Sequence, residues 1–170
     1  MKDANMTLRV KRIALLLSFV AALVAAMVAT VPSISKAAAP IPQIGYLDLF
    51  KTIGQARGQV VVVHFFASWC PACKKLHPTI QATRQKYSGE DVVMVGLSVD
   101  EDPEALSSYV KKRGFNYPIF RATEELAAIF QVSSIPKTLI YDKKGQLAHN
   151  SDGVFSLEDF HQTIDGLLQN

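Results

Sequence analysis

Val60-Val61-Val62-Val63-His64-Phe65-Phe66-Ala67-Ser68-Trp69-Cys70-Pro71-Ala72-Cys73-Lys74-Lys75 is the stretch whose reading decides the fold. Apart from His64, its first seven residues are β-branched or aromatic, and such a run reads as a buried strand. The run stops at Ala67-Ser68-Trp69. A helix is predicted to begin at Pro71, where a missing N–H costs nothing. The protein's two cysteines both stand at this junction, with two residues between them. Helix amides and the helix dipole favour negative charge on the first sulfur, so Cys70 is expected to be exposed and partly thiolate near neutral pH. Cys73 lies one turn further on, close enough to close a small disulfide ring with Cys70. An attacking thiolate and a nearby resolving thiol are what thiol–disulfide exchange requires.

Working outward, Asp91-Val92-Val93-Met94-Val95-Gly96-Leu97-Ser98-Val99 is a second apolar run, predicted as a central strand buried on both faces. The helix carrying the cysteines is predicted over 71–87, ending at Ser88-Gly89. Asp102-Pro103-Glu104 supplies an N-cap, a first-turn proline and a first-turn acid for a helix to about Arg113, closed by Gly114. Pro118-Ile119-Phe120 reads as a short extended piece, and Thr123-Glu124-Glu125 opens a short helix ending near Phe130. Residues 138–142 and 146–149 form a predicted hairpin around Lys143-Lys144-Gly145. Ser156-Leu157-Glu158-Asp159 is a capping box for the last helix. Between these and the N-terminus, residues 37–43 read as a linker, and 46–59 as an irregular lead-in with one helical turn. The order of elements gives a central mixed β-sheet with helices on both faces, an α/β class.

The N-terminus has a different character. Lys2, Arg9, Lys11 and Arg12 precede an uncharged apolar run over residues 13–31, followed by small residues at Ser35-Lys36-Ala37-Ala38-Ala39. This is the layout of an export segment. The run's 19 residues exceed the core of about 7–15 usual for a signal peptide and meet the roughly 18 expected of a membrane span. A removed signal peptide and a retained anchor both fit. Residues 1–39 are therefore set apart from a domain over 40–170, expected in the periplasm or another extracytoplasmic space. If residues 13–31 are retained, they would tether it to the inner membrane. Of the 18 Lys and Arg, 13 follow Pro40, against 14 of the 15 Asp and Glu, so the domain is near −1 and the chain's +3 belongs to the leader. Nothing in that balance points to nucleic acid. Two cysteines so close in sequence are too local to form a structural framework.

Phe65-Phe66-Ala67-Ser68-Trp69-Cys70-Pro71-Ala72-Cys73 resembles the active-site segment of thioredoxin-fold proteins. Pro78 matches the proline inside that family's active-site helix, and Ser134-Ile135-Pro136-Lys137-Thr138 resembles its cis-proline loop. The resemblance covers about residues 58–168, and the span from about 100 to 130 matches the extra strand and helix of the exported TlpA/ResA-like branch. It implies a thioredoxin-like fold and a thiol–disulfide oxidoreductase with Cys70 as nucleophile and Cys73 as resolving thiol. Trp69 would act as a lid beside Cys70. The backbone of Ile135, before a cis Pro136, would pair with an extended client segment. The branch further implies reduction of a protein client, such as an apocytochrome or a copper-site protein, with an upstream electron donor. Oxidant or isomerase action is the alternative within the same chemistry.

Two positions depart from the family. Six residues before the nucleophile, where an Asp or Asn is usual, stands His64; three residues after the second cysteine, where a Glu is common, stands Leu76. His64 is either a neutral, hydrogen-bonded core histidine or the group that relays the proton of Cys73. His77, four residues after Cys73, has the chemistry to complete a three-ligand Cu(I) or Zn site with the two cysteines. A half-exposed surface histidine at the helix kink is the other reading. A cis-proline against the dithiol tells against a metal, and no cofactor is expected.

Overall fold

The computed structural model describes residues 40–170; the readings made for residues 1–39, including the span 13–31, lie outside the described residues. The stretch that opens the sequence argument forms β2 (Val60–Phe66), all seven residues of which are buried. Its parallel neighbour is β3 (Val92–Ser98) and its antiparallel neighbour β5 (Lys137–Tyr141). The sheet is completed by β4 (Ile119–Ala122) and β1 (Gln43–Ile44) beyond β3, and by β6 (Leu147–Asp152) beyond β5, giving the order β1-β4-β3-β2-β5-β6. Continuous apolar runs in β2 and β3 follow from this: both are central strands covered on each side.

Alternation along β2 sorts the helices. Val61, Val63 and Phe65 face Leu49 and Ile53 of α1 (Tyr46–Gln55) and Leu126 of α4 (Glu124–Ile129). Val60 and Val62 face Leu76 and Ile80 of α2 (Pro71–Lys86) and Phe160 and Ile164 of α5 (Leu157–Gln169). At the C-terminal end of β2, Phe66, Ala67 and both cysteines pack with Leu106 of α3 (Pro103–Arg113). This is the thioredoxin-like fold expected, with the predicted caps in place. Asp102 accepts from the amides of Glu104 and Ala105 at 2.8 and 3.2 Å, and Gly114 closes α3 in the left-handed region at φ 65°. Among the described residues no helix is long and apolar enough to cross a membrane.

Three local readings are corrected. Residues 46–55 form a full helix, not an irregular lead-in. Tyr46, Leu49, Phe50 and Ile53 recur at i, i+3, i+4 and i+7, the stripe of an amphipathic helix, with Leu49 and Ile53 buried and Leu47 off the stripe and exposed. Gln43, read as the end of a linker, forms with Ile44 an edge strand, because the Arg121 and Thr123 amides at β4 donate to the carbonyls of Pro42 and Ile44. β6 runs three residues past His149, paired through to Asp152 opposite Lys137.

Candidate active site

Cys70 is the N-cap of α2, and its sulfur accepts from the amide N–H of Cys73 at 3.1 Å. Pro71 follows as the first helical residue, and no acidic side chain lies in the first turn. The two cysteines are joined as a disulfide, with Cα atoms 5.3 Å apart, inside the usual range for such a bridge. The Ile135–Pro136 peptide is cis, and the Ile135 carbonyl oxygen lies 3.6 Å from Cys70 Sγ. Cys70, Cys73, Ile135 and Pro136 are thus brought to one place from positions more than 60 residues apart. Trp69 is 63 % exposed beside them and borders a cleft whose other wall is Glu101, Asp102 and Ala105.

The exposure expected of Cys70 is not found. In the disulfide it is 4 % exposed, and Cys73 2 %. Phe66, Ala67 and Leu106 surround the pair, with Ile41, Val99 and Ile135 packed on the same cluster. The sequence reading placed the thiol at a helix end but had no means to show α3 laid across that end.

A hydrogen-bonded clamp holds the loop before Cys70. The buried Asp100 carboxylate accepts from the Ser68 amide at 2.8 Å, from the Ser68 hydroxyl at 2.5 Å and from the Ser98 hydroxyl at 2.6 Å; the Asp100 amide donates back to Ser98 Oγ at 2.9 Å. Charged acceptors make the stronger hydrogen bonds, so Ser68 and the turn through Trp69 are fixed to the end of β3. Asp100 lies just before the Asp102 cap of α3. Its partner lies 32 residues away, and no local pattern signals such a bond.

The buried histidines on the α2 side of the sheet behave differently. His64 is 3 % exposed, on the β2 face that α2 covers, stacked on Phe66 at 5.0 Å between ring centres and edge-on to Tyr117 at 6.2 Å. Neither ring nitrogen has a hydrogen-bond partner, which corrects the reading of a hydrogen-bonded core histidine. Burial, with a smaller repulsion from His77, lowers its pKa to about 3, so the ring is neutral. Gly96, directly opposite on β3, makes room for this arrangement. A Cβ there would meet Ile119 Cδ1 and come within 3.1 Å of the Tyr117 ring.

His77 is also buried, not half-exposed, with its ring 4.4 Å from that of Phe115. It shares the inner face of α2 with Cys73, Leu76 and Ile80. Burial lowers its pKa, partly countered by the Arg113 backbone. Among the described residues no group of three or more His, Cys, Asp or Glu side chains is placed to hold a metal ion.

Comparison with known proteins agrees with this geometry. Residues 58–147 match the family described as Thioredoxin-like. Sporulation thiol-disulfide oxidoreductase A of Bacillus subtilis is 24% identical over 146 residues, covering 80% of this chain and 88% of the relative. ResA of the same organism, a thiol-disulfide oxidoreductase, is 24% identical over 114 residues, covering 66% of this chain and 64% of ResA. Among solved structures, a thiol:disulfide interchange protein from Chlorobium tepidum superposes with a TM-score of 0.63 at 27% identity, covering 68% of this chain and 83% of that one.

Proposed function

The chain belongs to the thioredoxin-like family, and on that premise we propose that this thiol–disulfide oxidoreductase reduces disulfides of a protein client outside the cytoplasm. The observation that carries the reading is the setting of Cys70 Sγ, between the Cys73 amide in the first turn of α2 and the carbonyl of Ile135. In the reduced protein, Cys70 attacks a client disulfide. One client sulfur leaves as a thiol, and Cys70 is left in a mixed disulfide. Cys73 then attacks Cys70 Sγ, forming the intramolecular bridge and releasing the second client sulfur. The client gains two electrons and the dithiol loses them, so an upstream donor must restore it. Trp69, Ile135 and Pro136 form the groove for the client segment, and His64 takes part in the proton movement of the resolving step. The reductive direction and an apocytochrome or copper-site protein as client follow the branch the sequence resembles; export by residues 1–39, as a removed signal or as a tether through residues 13–31, follows the apolar run itself.

The full chain carrying Cys73→Ser, expressed in its host, tests this. It is expected to accumulate mixed disulfides with client proteins through Cys70, and the parent is expected to equilibrate with glutathione at a reducing potential. A Cys73→Ser chain that traps no client contradicts the reading; an oxidising potential turns it towards disulfide formation.

A further inference from the structure

One buried charge has no part in the exchange steps. Lys137 directly follows Pro136, and its side chain is only 6 % exposed. Lysine is almost never buried unless it is paired, because taking an ammonium out of water is costly. The partner is Asp152 of β6, whose side chain is 53 % exposed; its Oδ1 lies 3.3 Å from Lys137 Nζ. The other ion pair among the described residues, Lys86–Asp165, joins α5 to the end of α2 remote from the cysteines.

The sheet register sets Lys137 and Asp152 directly opposite each other on β5 and β6, with Phe65 of β2 opposite Lys137 on its other side. Directly opposite residues share a face. On this face Phe130, Val132 and Ile135, from the segment leading from α4 into Pro136, pack on the cluster that contains Phe65. One residue past Asp152, Gly153 turns through the left-handed region at φ 89°, and its amide donates to the Pro136 carbonyl at 2.7 Å. On the opposite side the Ile135 carbonyl lies 3.6 Å from Cys70 Sγ. Three consecutive residues are therefore placed from two directions. Ile135 meets Cys70, while Pro136 and Lys137 are tied to Gly153 and Asp152.

We propose that Lys137 and Asp152 are positioning residues for the client groove, holding the Ile135–Pro136 backbone against the end of β6 in the shape that receives an extended client strand. A client that adds as a strand binds main chain to main chain. Its affinity falls when the receiving backbone has to be ordered at each encounter. The Gly153 bond alone fixes one point of the loop; the ion pair at the next residue fixes its direction as well. Because the ammonium is buried, it has no water to turn to, and the half-exposed carboxylate comes to it. A small disulfide needs no strand pairing to reach Cys70, so the pair governs recognition of protein clients and not the reactivity of the cysteine. This rests on the oxidoreductase reading above and adds what keeps its groove in shape.

Two measurements on the full chain separate these effects: insulin-disulfide reduction with dithiothreitol as donor and insulin varied, and the first release of thionitrobenzoate when the reduced chain meets dithiobis(nitrobenzoate). Lys137→Met removes the charge and keeps an apolar stem, leaving Asp152 in water, so it should melt no lower than the parent. It is expected to raise KM for insulin roughly three- to tenfold while kcat and the first release stay at parent values. Asp152→Ala should raise KM in the same sense and also lower the melting temperature, because it leaves the ammonium buried and unpaired. Asp152→Glu should restore KM, and Lys86→Met, which breaks the other ion pair, should not move it. A parent KM in both Lys137→Met and Asp152→Ala overturns the proposal. So does an equal rise in Lys86→Met, which would make it a general effect of stability, or a slowed first release, which would place the pair's action on Cys70. A parent that neither reduces insulin nor releases thionitrobenzoate contradicts the oxidoreductase reading itself.

Discussion

Asp100 and His64 stand at the C-terminal ends of adjacent parallel strands, and both are buried polar side chains. Asp100 uses both carboxylate oxygens, on two side-chain hydroxyls and one amide. His64 uses neither nitrogen. A satisfied charge inside a protein fixes geometry, because moving any partner leaves it unpaired. An unsatisfied neutral ring fixes little and is costly to keep, so its presence calls for a chemical reason. The contrast separates two settings: Asp100 holds the loop before Cys70 through Ser68, and His64 stays uncharged on the α2 face of β2.

The comparison can be broken at several points, with effects of decreasing size. Cys70→Ser removes the attacking atom and is expected to reduce insulin-disulfide reduction to background, whereas Asp100 and His64 variants keep part of it. Asp100→Ala leaves the Ser68 amide and two serine hydroxyls without their acceptor; urea unfolding is expected to show a loss of about 2–4 kcal/mol. A loss below about 1 kcal/mol would mean that the clamp is not structural.

The His64 side should show itself through acid. Its folded-state pKa, about 3, lies below the unfolded value of about 6.5. The unfolded chain therefore takes up a proton that the folded chain refuses. Stability is complete above pH about 6.5 and falls towards pH 3, by on the order of 1.4 kcal/mol per pH unit from this residue. His77 and His161, also lowered, add in the same direction. Denaturation curves of His64→Leu should fall less steeply below pH 6.5 than those of the parent; equal slopes would place the ring in a wetter setting. Gly96→Ala, which crowds Ile119 and Tyr117 beside His64, should lower stability by roughly 1–3 kcal/mol, and an unchanged midpoint would show that those side chains yield.

Much of this was legible in the sequence because it is local. The strand, the Cys70–Cys73 junction, the caps at Asp102 and Thr123, and the proline after Ile135 all announce themselves within a few residues. What escaped depends on distance. The Asp100–Ser68 bond spans two strands. The covering of Cys70 depends on where α3 lies, and the setting of His64 between Gly96 and Thr138 exists only once the register is set. Helix α1 is a different case: its stripe Tyr46, Leu49, Phe50 and Ile53 was in the sequence, but it is short and opens on Gly45 rather than on a Ser, Thr, Asp or Asn cap.

The division of labour between the two cysteines is tested most directly by residue-resolved alkylation of the reduced full chain, followed by mass spectrometry over time. Both cysteines are buried in the disulfide, so exposure does not prejudge the order. With Cys70 capping α2, Cys70 should be modified first and well ahead of Cys73 near neutral pH. Modification of Cys73 first, with Cys70 inert, would contradict the account.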